Sequence, residues 1–292
     1  MAKVLLLDGF NLAFRSYYAL PDLTRSDGVP TGALHGWVKT LWKLEDMERP
    51  DRLAVFFDEG GSDRHLELLP EYKANRDEMP EALRAQMESI REITRLMGYP
   101  VISRCGVEAD DLIASAARQM AGPEQKAVVV SADKDLAQLV NEHIHQLLPA
   151  PTANPRLGWR RLDAEGVVKK FGVTPAQIPD YLALVGDVSD NIAGLVGVGP
   201  KTASKWIAEY GNIAGVLAKA AEIKPPRFRE ILPASGELLS RNLELVRLKD
   251  TFEIPALTVE QPDTPALTDF LASMEMKSAA LQAQERYGLG LR

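Results

Sequence analysis

The sequence predicts an α/β protein, with a central, mostly parallel sheet flanked by helices and a smaller helical part after it. Up to about residue 150, short apolar runs alternate with stretches whose apolar residues recur every three or four positions, the pattern of a parallel sheet with crossover helices. Beyond the turn-rich Pro151-Thr-Ala-Asn-Pro155, strand signals become sparse and helical ones dominate. The 292 residues, 46% hydrophobic and 26% charged, suffice for one large domain or two modest ones and exclude a disordered, collagenous or disulfide-stapled chain.

The elements follow in order. The apolar runs at 3–7, 53–57, 100–103, 127–131 and 144–148 read as strands. Between them, apolar spacing of three and four predicts helices at 31–48, 80–97, 108–120 and 135–140. Residues 151–162 form a connection, and helices dominate from 163 to about 247. The segment 255–264, with Pro255 and Pro262, reads as an extended strap before a last amphipathic helix at about 266–287. The expected domains are therefore 1–162, 163–255 and 256–292, with no internal repeat. Trp37, Trp42, Trp159 and Trp206 are assigned to packing.

A single cysteine, Cys105, cannot form an internal disulfide, and the run Val4-Leu-Leu-Leu7 is too short for the apolar core of a signal peptide. No 18-residue apolar run occurs, so a cytoplasmic protein is expected. The net charge of −7 argues against a nucleic-acid partner if taken alone. Nine acids, however, belong to one cluster; without them 34 bases face 32 acids, so the global balance misleads.

The positions of those acids are the informative feature. Asp8 and Asp58 each directly follow a strand run, Asp133 and Asp135 follow the run at 127–131, and Glu108, Asp110 and Asp111 open a helix just after 100–103. All lie at the carboxyl edge of the expected sheet, where open α/β folds bind ligands. Any one of them is equally well explained as a helix cap. Together they repel one another unless a cation neutralises them, and carboxylates alone suit a hard ion such as Mg²⁺ or Mn²⁺ rather than Zn²⁺. His35, His65, His143 and His145 lack ligand spacing and are assigned to surface or core duty.

A further pair, Asp187 and Asp190, precedes Gly194-Leu-Val-Gly-Val-Gly-Pro-Lys-Thr-Ala203, a glycine-punctuated turn between two helices. Gly197 and Gly199 free the backbone, Pro200 suits a first helical turn, and Lys201 brings positive charge to its start. Such a turn presents backbone N–H groups to a phosphate. With Ile192, Leu195, Val198, Ala203 and Trp206 flanking it, the segment matches a helix–hairpin–helix that grips duplex backbone without reading sequence; Thr202 and Lys205 continue its second helix. It is not a Walker loop. The third segment is Leu69-Pro-Glu-Tyr-Lys-Ala-Asn-Arg-Asp-Glu78. If helical, it sets Lys73 and Arg76 on one face beside Tyr72, an aromatic able to stack on a base; from spacing alone, a solvated charge-balanced helix explains it better.

These motifs resemble the bacterial and phage 5′ nucleases, the family of flap endonucleases and of the 5′-nuclease domain of DNA polymerase I. The resemblance rests on Leu7-Asp-Gly-Phe-Asn-Leu-Ala-Phe-Arg-Ser-Tyr-Tyr-Ala19, Phe57-Asp58, Pro70-Glu-Tyr-Lys-Ala-Asn-Arg-Asp-Glu78, Gly106-Val-Glu-Ala-Asp-Asp-Leu112, Ser131-Ala-Asp-Lys-Asp-Leu-Ala-Gln-Leu139 and Gly186-Asp-Val-Ser-Asp-Asn191 leading into Gly197-Val-Gly-Pro-Lys-Thr202, in family order over about 1–255. It implies a PIN-like 5′-nuclease core carrying a helical arch at about 62–90. By the same resemblance Asp8, Asp58, Glu108, Asp110 and Asp111 are ligands of a first metal site, and Asp133, Asp135, Asp187 and Asp190 of a second, with Asp133 near the boundary. Lys73 and Arg76 match the arch cations beside the scissile phosphate, Arg15 a nearby phosphate contact, and Leu195 and Val198 the carbonyls of a K⁺ site in the hairpin.

The activity so implied is two-metal hydrolysis of DNA near junctions of single and double strand, at 5′ flaps or 5′ ends. One ion lowers the pKa of a water while the pair, about 4 Å apart, stabilises the attacking and leaving oxygens. A monomer is expected. Phe270-Leu-Ala-Ser-Met-Glu-Met-Lys-Ser278 distantly resembles the segment that closes the nuclease domain in polymerase-fused members, so association with a polymerase and a stand-alone nuclease both fit. Two rivals remain: a related RNA nuclease, which would not be expected to carry the hairpin and the second acid pair, and a non-catalytic junction-binding protein, which would most simply have lost acids or Lys73.

Overall fold

A computed structural model describes residues 2–20 and 22–288. Its helices are α1 (Gly9–Ala19), α2 (Gly32–Glu48), α3 (Asp63–Leu68), α4 (Glu81–Arg84), α5 (Met87–Leu96), α6 (Ala109–Met120), α7 (Ala164–Phe171), α8 (Ile178–Val185), α9 (Pro200–Tyr210), α10 (Ile213–Ala218), α11 (Phe228–Ala234), α12 (Gly236–Val246), α13 (Thr264–Ser273) and α14 (Lys277–Tyr287). The strands are β1 (Ala2–Asp8), β2 (Arg52–Phe56), β3 (Val101–Ile102), β4 (Gln125–Val130), β5 (Ile144–Leu148), β6 (Arg160–Leu162), β7 (Gly186–Asp187) and β8 (Ile192–Ala193).

The main sheet has the order β3-β2-β1-β4-β5-β6, and only β6 runs antiparallel to its neighbour. Covered by helices on both faces, the strands must be apolar on both, which is why they read as unbroken runs. Alternation still sorts their side chains. Leu5, Leu7, Leu53, Val55, Val128 and Val130 pack in the cluster that holds Trp37 and Leu41 of α2 and Ile90 of α5; Val4, Leu6, Ala54, Phe56, Ala127 and Val129 pack with Leu112, Ile113 and Ala116 of α6. A third cluster, including Leu182, Trp206, Val216, Phe228 and Leu239, forms the interior of the helical part.

The C-terminal helices return to the first of these clusters. Leu267, Leu271 and Ala283 pack in it, and the Trp42 indole N–H donates to the Tyr287 hydroxyl at 2.9 Å. The connecting strap is pinned where Glu260 N donates to Gly98 O at 2.9 Å. A side chain at residue 98 would collide with Glu260 O, and the backbone there has φ +81°, so glycine is required on both counts.

Four elements differ from expectation. The helix at 9–19 has no sequence boundary of its own, because β1 ends on Asp8 and Asp8 is already the N-cap, accepting from Asn11 N at 3.1 Å. The helix expected at 80–97 is two. Between them the Gln86 side chain accepts from Leu34 N at 3.0 Å, satisfying an amide in the first turn of α2, and donates to Ala82 O at 2.7 Å. The helix expected at 266–287 stops and restarts at Glu275, which sits in the left-handed region at φ +58°. The helix expected at 135–140 is a 3₁₀ helix over Asp135–Leu139.

Candidate functional site

The parallel strands deliver their carboxyl ends to one edge, and the acids there are held by specific donors. Asp8 accepts from Asn11 N and, at 2.7 Å, from the Ser131 hydroxyl at the end of β4. Asp58, just beyond β2, accepts from Ala109 N at 2.8 Å, the first amide of α6. Asp133 accepts from Asp135 N at 2.9 Å, while the buried Gln146 side chain on β5 donates to the carbonyls of Ser131 and Asp133. Asp8, Asp58, Asp110 and Asp133 line a cavity of about 280 Å³ with Asn11, Lys73 and Arg76. A cleft of about 530 Å³ lies elsewhere, among Arg118, His143 and Arg247, but its one carboxylate, Asp250, is paired with Arg118. Size alone does not mark the site.

Asp135, Asp187 and Asp190 each bring an oxygen within 4.8 Å of the others. Asp190 and Asp187 reach this point from the helical part, the latter on the short β7–β8 hairpin. Asp135 Oδ1 is shut off from water and no donor reaches it. A buried oxygen left without a partner among other carboxylates suits a hard divalent cation, so the residues fit the metal their chemistry implies.

Burial, then neighbouring carboxylates, raises Asp110 and Asp135 well above the usual carboxylate range and pushes Asp8 up to about 7. Burial likewise raises Asp58 and Asp133. Glu108 and Asp187 move the other way. Burial opposes their ionisation, but Lys73, His65 and Tyr72 around Glu108, and Ser189 and Lys134 around Asp187, outweigh it and hold both low. Lys134 Nζ lies 2.9 Å from Asp187, and Arg76 donates to Asp190 Oδ1 at 2.6 Å. Lys73 donates to Glu108, and its ammonium is stabilised in the charged form because the Glu108 and Asp190 charges outweigh its burial.

Two expected roles need correction. Asp111 does not face the cavity: successive residues on α6 differ by about 100° around the helix axis. Its carboxylate accepts instead from Lys249 N at 2.8 Å. Tyr72 is not an outward platform for a base. Residues 69–76 fold as tight turns rather than a helix, with Lys73 in the left-handed region at φ +57°. The Tyr72 ring is 8% exposed and stacks on His65 at 4.5 Å. Its hydroxyl lies 2.9 Å from Asp190 and 3.1 Å from Glu108 and shares its single hydrogen between them, so it bridges carboxylates from the two parts of the chain.

Arg15 lies one turn along α1 from Asn11, within 3.4 Å of the Thr152 hydroxyl. In the hairpin, Gly197 takes φ +78° and Val198 N donates to Leu195 O at 2.9 Å, while the side chains of Leu195 and Val198 are buried. Gly199 is the N-cap of α9, Thr202 N donates back to it, and Lys201 and Lys205 are exposed and pair with no acid among the described residues. Sequence reasoning assigns no functional role to several residues of the site. Lys134, Gln146, Asn75 and Asn191 are ordinary polar residues by spacing, and His65 shows its place only once the chain folds: it meets Ser62, Leu245 O and the Tyr72 ring.

Two consecutive family models match the chain, the 5′–3′ exonuclease N-terminal resolvase-like domain over residues 3–172 and the 5′–3′ exonuclease C-terminal SAM fold over 173–265. The chain belongs to the 5′–3′ exonuclease family. It is thus a member of a nuclease, and so hydrolase, family. A 5′–3′ exonuclease of Aquifex aeolicus is 37% identical over 95% of this chain and 94% of its own length. DNA polymerase I of Rhizobium leguminosarum is also 37% identical, over 96% of this chain, but the chain spans only 28% of that polymerase. Among solved structures, the 5′-exonuclease of bacteriophage T5 with zinc ions bound is similar at TM-score 0.69 and 25% identity, over 97% of this chain and 98% of that one. The catalytic core of Rad2 in complex with DNA substrate aligns at TM-score 0.62 over 99% and 92% of the two chains; at 18% identity it shows the fold alone. No helix among the described residues is long and apolar enough to cross a membrane.

Proposed function

We propose that this 5′–3′ exonuclease family member is a structure-specific 5′ nuclease that hydrolyses DNA phosphodiesters at 5′ flaps and 5′ ends, near the junction of single and double strand, with two Mg²⁺ ions that Mn²⁺ can replace. The observation that carries the reading is the carboxylate edge of the sheet: Asp8, Asp58, Asp110 and Asp133 line a pocket with Lys73 and Arg76, and next to Asp133 the orphaned Asp135 Oδ1 belongs to a cluster with Asp187 and Asp190. Asp8, Asp58, Glu108 and Asp110 form the first site and Asp135, Asp187 and Asp190 the second, with Asp133 between them; Asp111 supports the first through Lys249. When bound, the ions supply an activated water and neutralise charge on the attacked phosphate.

The chain's own groups then orient and stabilise. Lys73 and Arg76 exchange their present carboxylate partners for phosphate oxygens, placing positive charge where negative charge develops. Arg15 takes an adjacent phosphate. The hairpin, through backbone amides at Gly197 and Gly199 and through Lys201, Thr202 and Lys205, grips the duplex without reading bases, and its Leu195 and Val198 carbonyls hold K⁺. Tyr72 keeps Glu108 and Asp190 in register rather than touching a base. The reading takes 1–162 as the metal-binding core, 163–255 as the DNA-gripping part and 256–292 as strap and closing helices, in a cytoplasmic monomer able to act with a DNA polymerase.

An end-labelled 5′-flap duplex, incubated with Mg²⁺ or with chelator, tests this directly. Metal-dependent cuts clustered at the junction are expected. Junction binding without cleavage would overturn the reading in favour of a non-catalytic binder.

A further inference from the structure

Lys73 and Asp190 come from distant parts of the chain, yet they are held together by more than their own charges. Residues 71–76 and 188–191 form six hydrogen bonds with each other. Lys73 N donates to Asp190 O at 3.0 Å, Tyr72 OH to Asp190 Oδ2 at 2.9 Å, and Arg76 to Ser189 O at 3.1 Å and Asp190 Oδ1 at 2.6 Å. The remaining two are reciprocal. Asn75 Nδ2 donates to Val188 O at 2.7 Å, and Asn191 Nδ2 donates to Glu71 O at 2.7 Å. Both acceptors are backbone carbonyls, which cannot donate, so only one orientation of each side-chain amide satisfies the contact.

The backbone shows why these contacts are needed. Lys73 and Asn191, one on each side of the seam, both adopt left-handed conformations, at φ +57° and +58°. Lysine has no intrinsic reason to do so, whereas asparagine tolerates it. The turn carrying Lys73 has its own backbone bonds, Ala74 N to Glu71 O at 3.0 Å and Arg76 N to Lys73 O at 3.1 Å, and is fastened in place by those made to the opposite segment. Asn75 and Asn191 bracket Lys73, and the carbonyls they hold, Val188 and Glu71, bracket the seam from either side.

We infer that Asn75 and Asn191 are positioning residues, a reciprocal amide clamp that sets the Lys73 ammonium against the Asp187–Asp190 metal loop for the chemical step. The clamp rests on the nuclease reading above. It touches no reacting atom itself; it acts by fixing the distance between the arch cation and the second-site carboxylates, where a displacement of about 1 Å can cost on the order of 10²-fold in rate.

The test uses Asn75→Ala and Asn191→Gly, the latter because glycine accepts φ +58° without strain and removes only the amide. Single-turnover cleavage of a 5′-flap duplex, flap affinity in Ca²⁺, half-saturating Mg²⁺ and Tm are measured for each and for the double variant. Each single change is expected to slow the chemical step by about tenfold or more and to raise the Mg²⁺ requirement, with flap affinity within about threefold of wild type. The double variant should lose less than the product of the two, since both amides hold one seam. Wild-type rates and Mg²⁺ dependence in both singles would overturn the clamp. So would weakened flap binding at an unchanged single-turnover rate, which would make the asparagines DNA contacts, or a Tm loss with an unchanged rate constant, which would make them merely structural. A wild-type protein that leaves the flap uncut would instead overturn the nuclease reading on which the clamp rests.

Discussion

Two sets of carboxylates meet at the edge of the sheet, and their surroundings are opposite. Asp8, Asp58, Asp110, Asp133 and Asp135 form no ion pair within the described residues, and burial lifts all of them. Glu108, Asp187 and Asp190 each meet a cation of the chain itself, in Lys73, Lys134 and Arg76. The inner set lies where the sheet ends and can reach electroneutrality only with protons or an external cation. The outer set joins Glu108, at the start of α6, to Asp187 and Asp190 of the helical part, and each of its members is neutralised by a cation of the chain itself. On the proposed reading all eight carboxylates serve the metal sites, and phosphate would draw Lys73 and Arg76 away from Glu108 and Asp190.

Removing an inner carboxylate should have the largest effect. Asp8→Asn, or Asp58→Asn, is expected to lower single-turnover cleavage of a 5′ flap by about 10³-fold or more, the loss of several kcal/mol of transition-state stabilisation, while flap binding in Ca²⁺ remains measurable. Near-wild-type cleavage by both would place the metal elsewhere. Removing an outer cation comes next. Lys73→Ala should slow the chemical step by about 10²-fold, the order expected for a preorganised charge at the reacting phosphate, with a smaller change in affinity. A pure loss of affinity would make Lys73 a binding residue and erase the proposed division between the sets.

The inner set is placed by the sequence directly, whereas for the outer set the sequence names the residues but not the partners they meet, for a physical reason. A parallel strand covered on both faces must be apolar throughout, so an acid that follows one, such as Asp8 or Asp58, is located at the sheet edge by its position alone. The parallel sheet, the crossover helices and most of the candidate metal ligands follow from that. The environment of Lys73 comes from contacts over more than a hundred residues. Tyr72 and Arg76 are four apart, a helical interval, but residues 188–191 force the intervening turn and bury the Tyr72 ring. Asp111 shows the same limit on a smaller scale: adjacency to Asp110 in sequence places it on another side of α6. Glu275 stops a helix without glycine or proline, and Gln86 breaks one in order to satisfy an amide of α2.

Metal should distinguish the sets by pH. A carboxyl whose folded-state pKa is raised binds its proton more tightly in the folded protein, so its contribution to stability is present below the unfolded value near 3.8 and is lost as pH rises through about 7 for Asp8. Glu108 and Asp187 have the opposite sign: held low, they stabilise above the unfolded carboxylate range and lose that contribution as pH falls through their folded values. Metal-free protein should therefore lose stability as pH rises from about 4 through about 7, where Asp8 ionises, and Mg²⁺ should restore it by displacing the proton. Thermal melts are expected to show a Mg²⁺-induced rise in Tm of about 5 °C at saturating metal and neutral pH, shrinking toward pH 5. A rise independent of pH would mean that Mg²⁺ does not replace protons on Asp8 and its neighbours.

The smallest expected effect joins the sets. Tyr72→Phe retains the ring against His65 but removes the hydroxyl that bridges Glu108 and Asp190. Both acceptors keep a cation, Lys73 or Arg76, so neither is left unpaired and the fold should tolerate the change. What is lost is the restraint that holds a ligand of the first site and one of the second at a common point. Groups that orient metal ligands in this way commonly contribute about tenfold or more to affinity. Tyr72→Phe should accordingly raise the half-saturating Mg²⁺ by about tenfold and leave the single-turnover rate at saturating Mg²⁺ within about threefold of wild type. A variant that binds Mg²⁺ normally but grips the flap weakly would restore Tyr72 to the DNA-stacking role that a helical 69–78 would have allowed, and would require the ring to leave its place over His65 when substrate arrives.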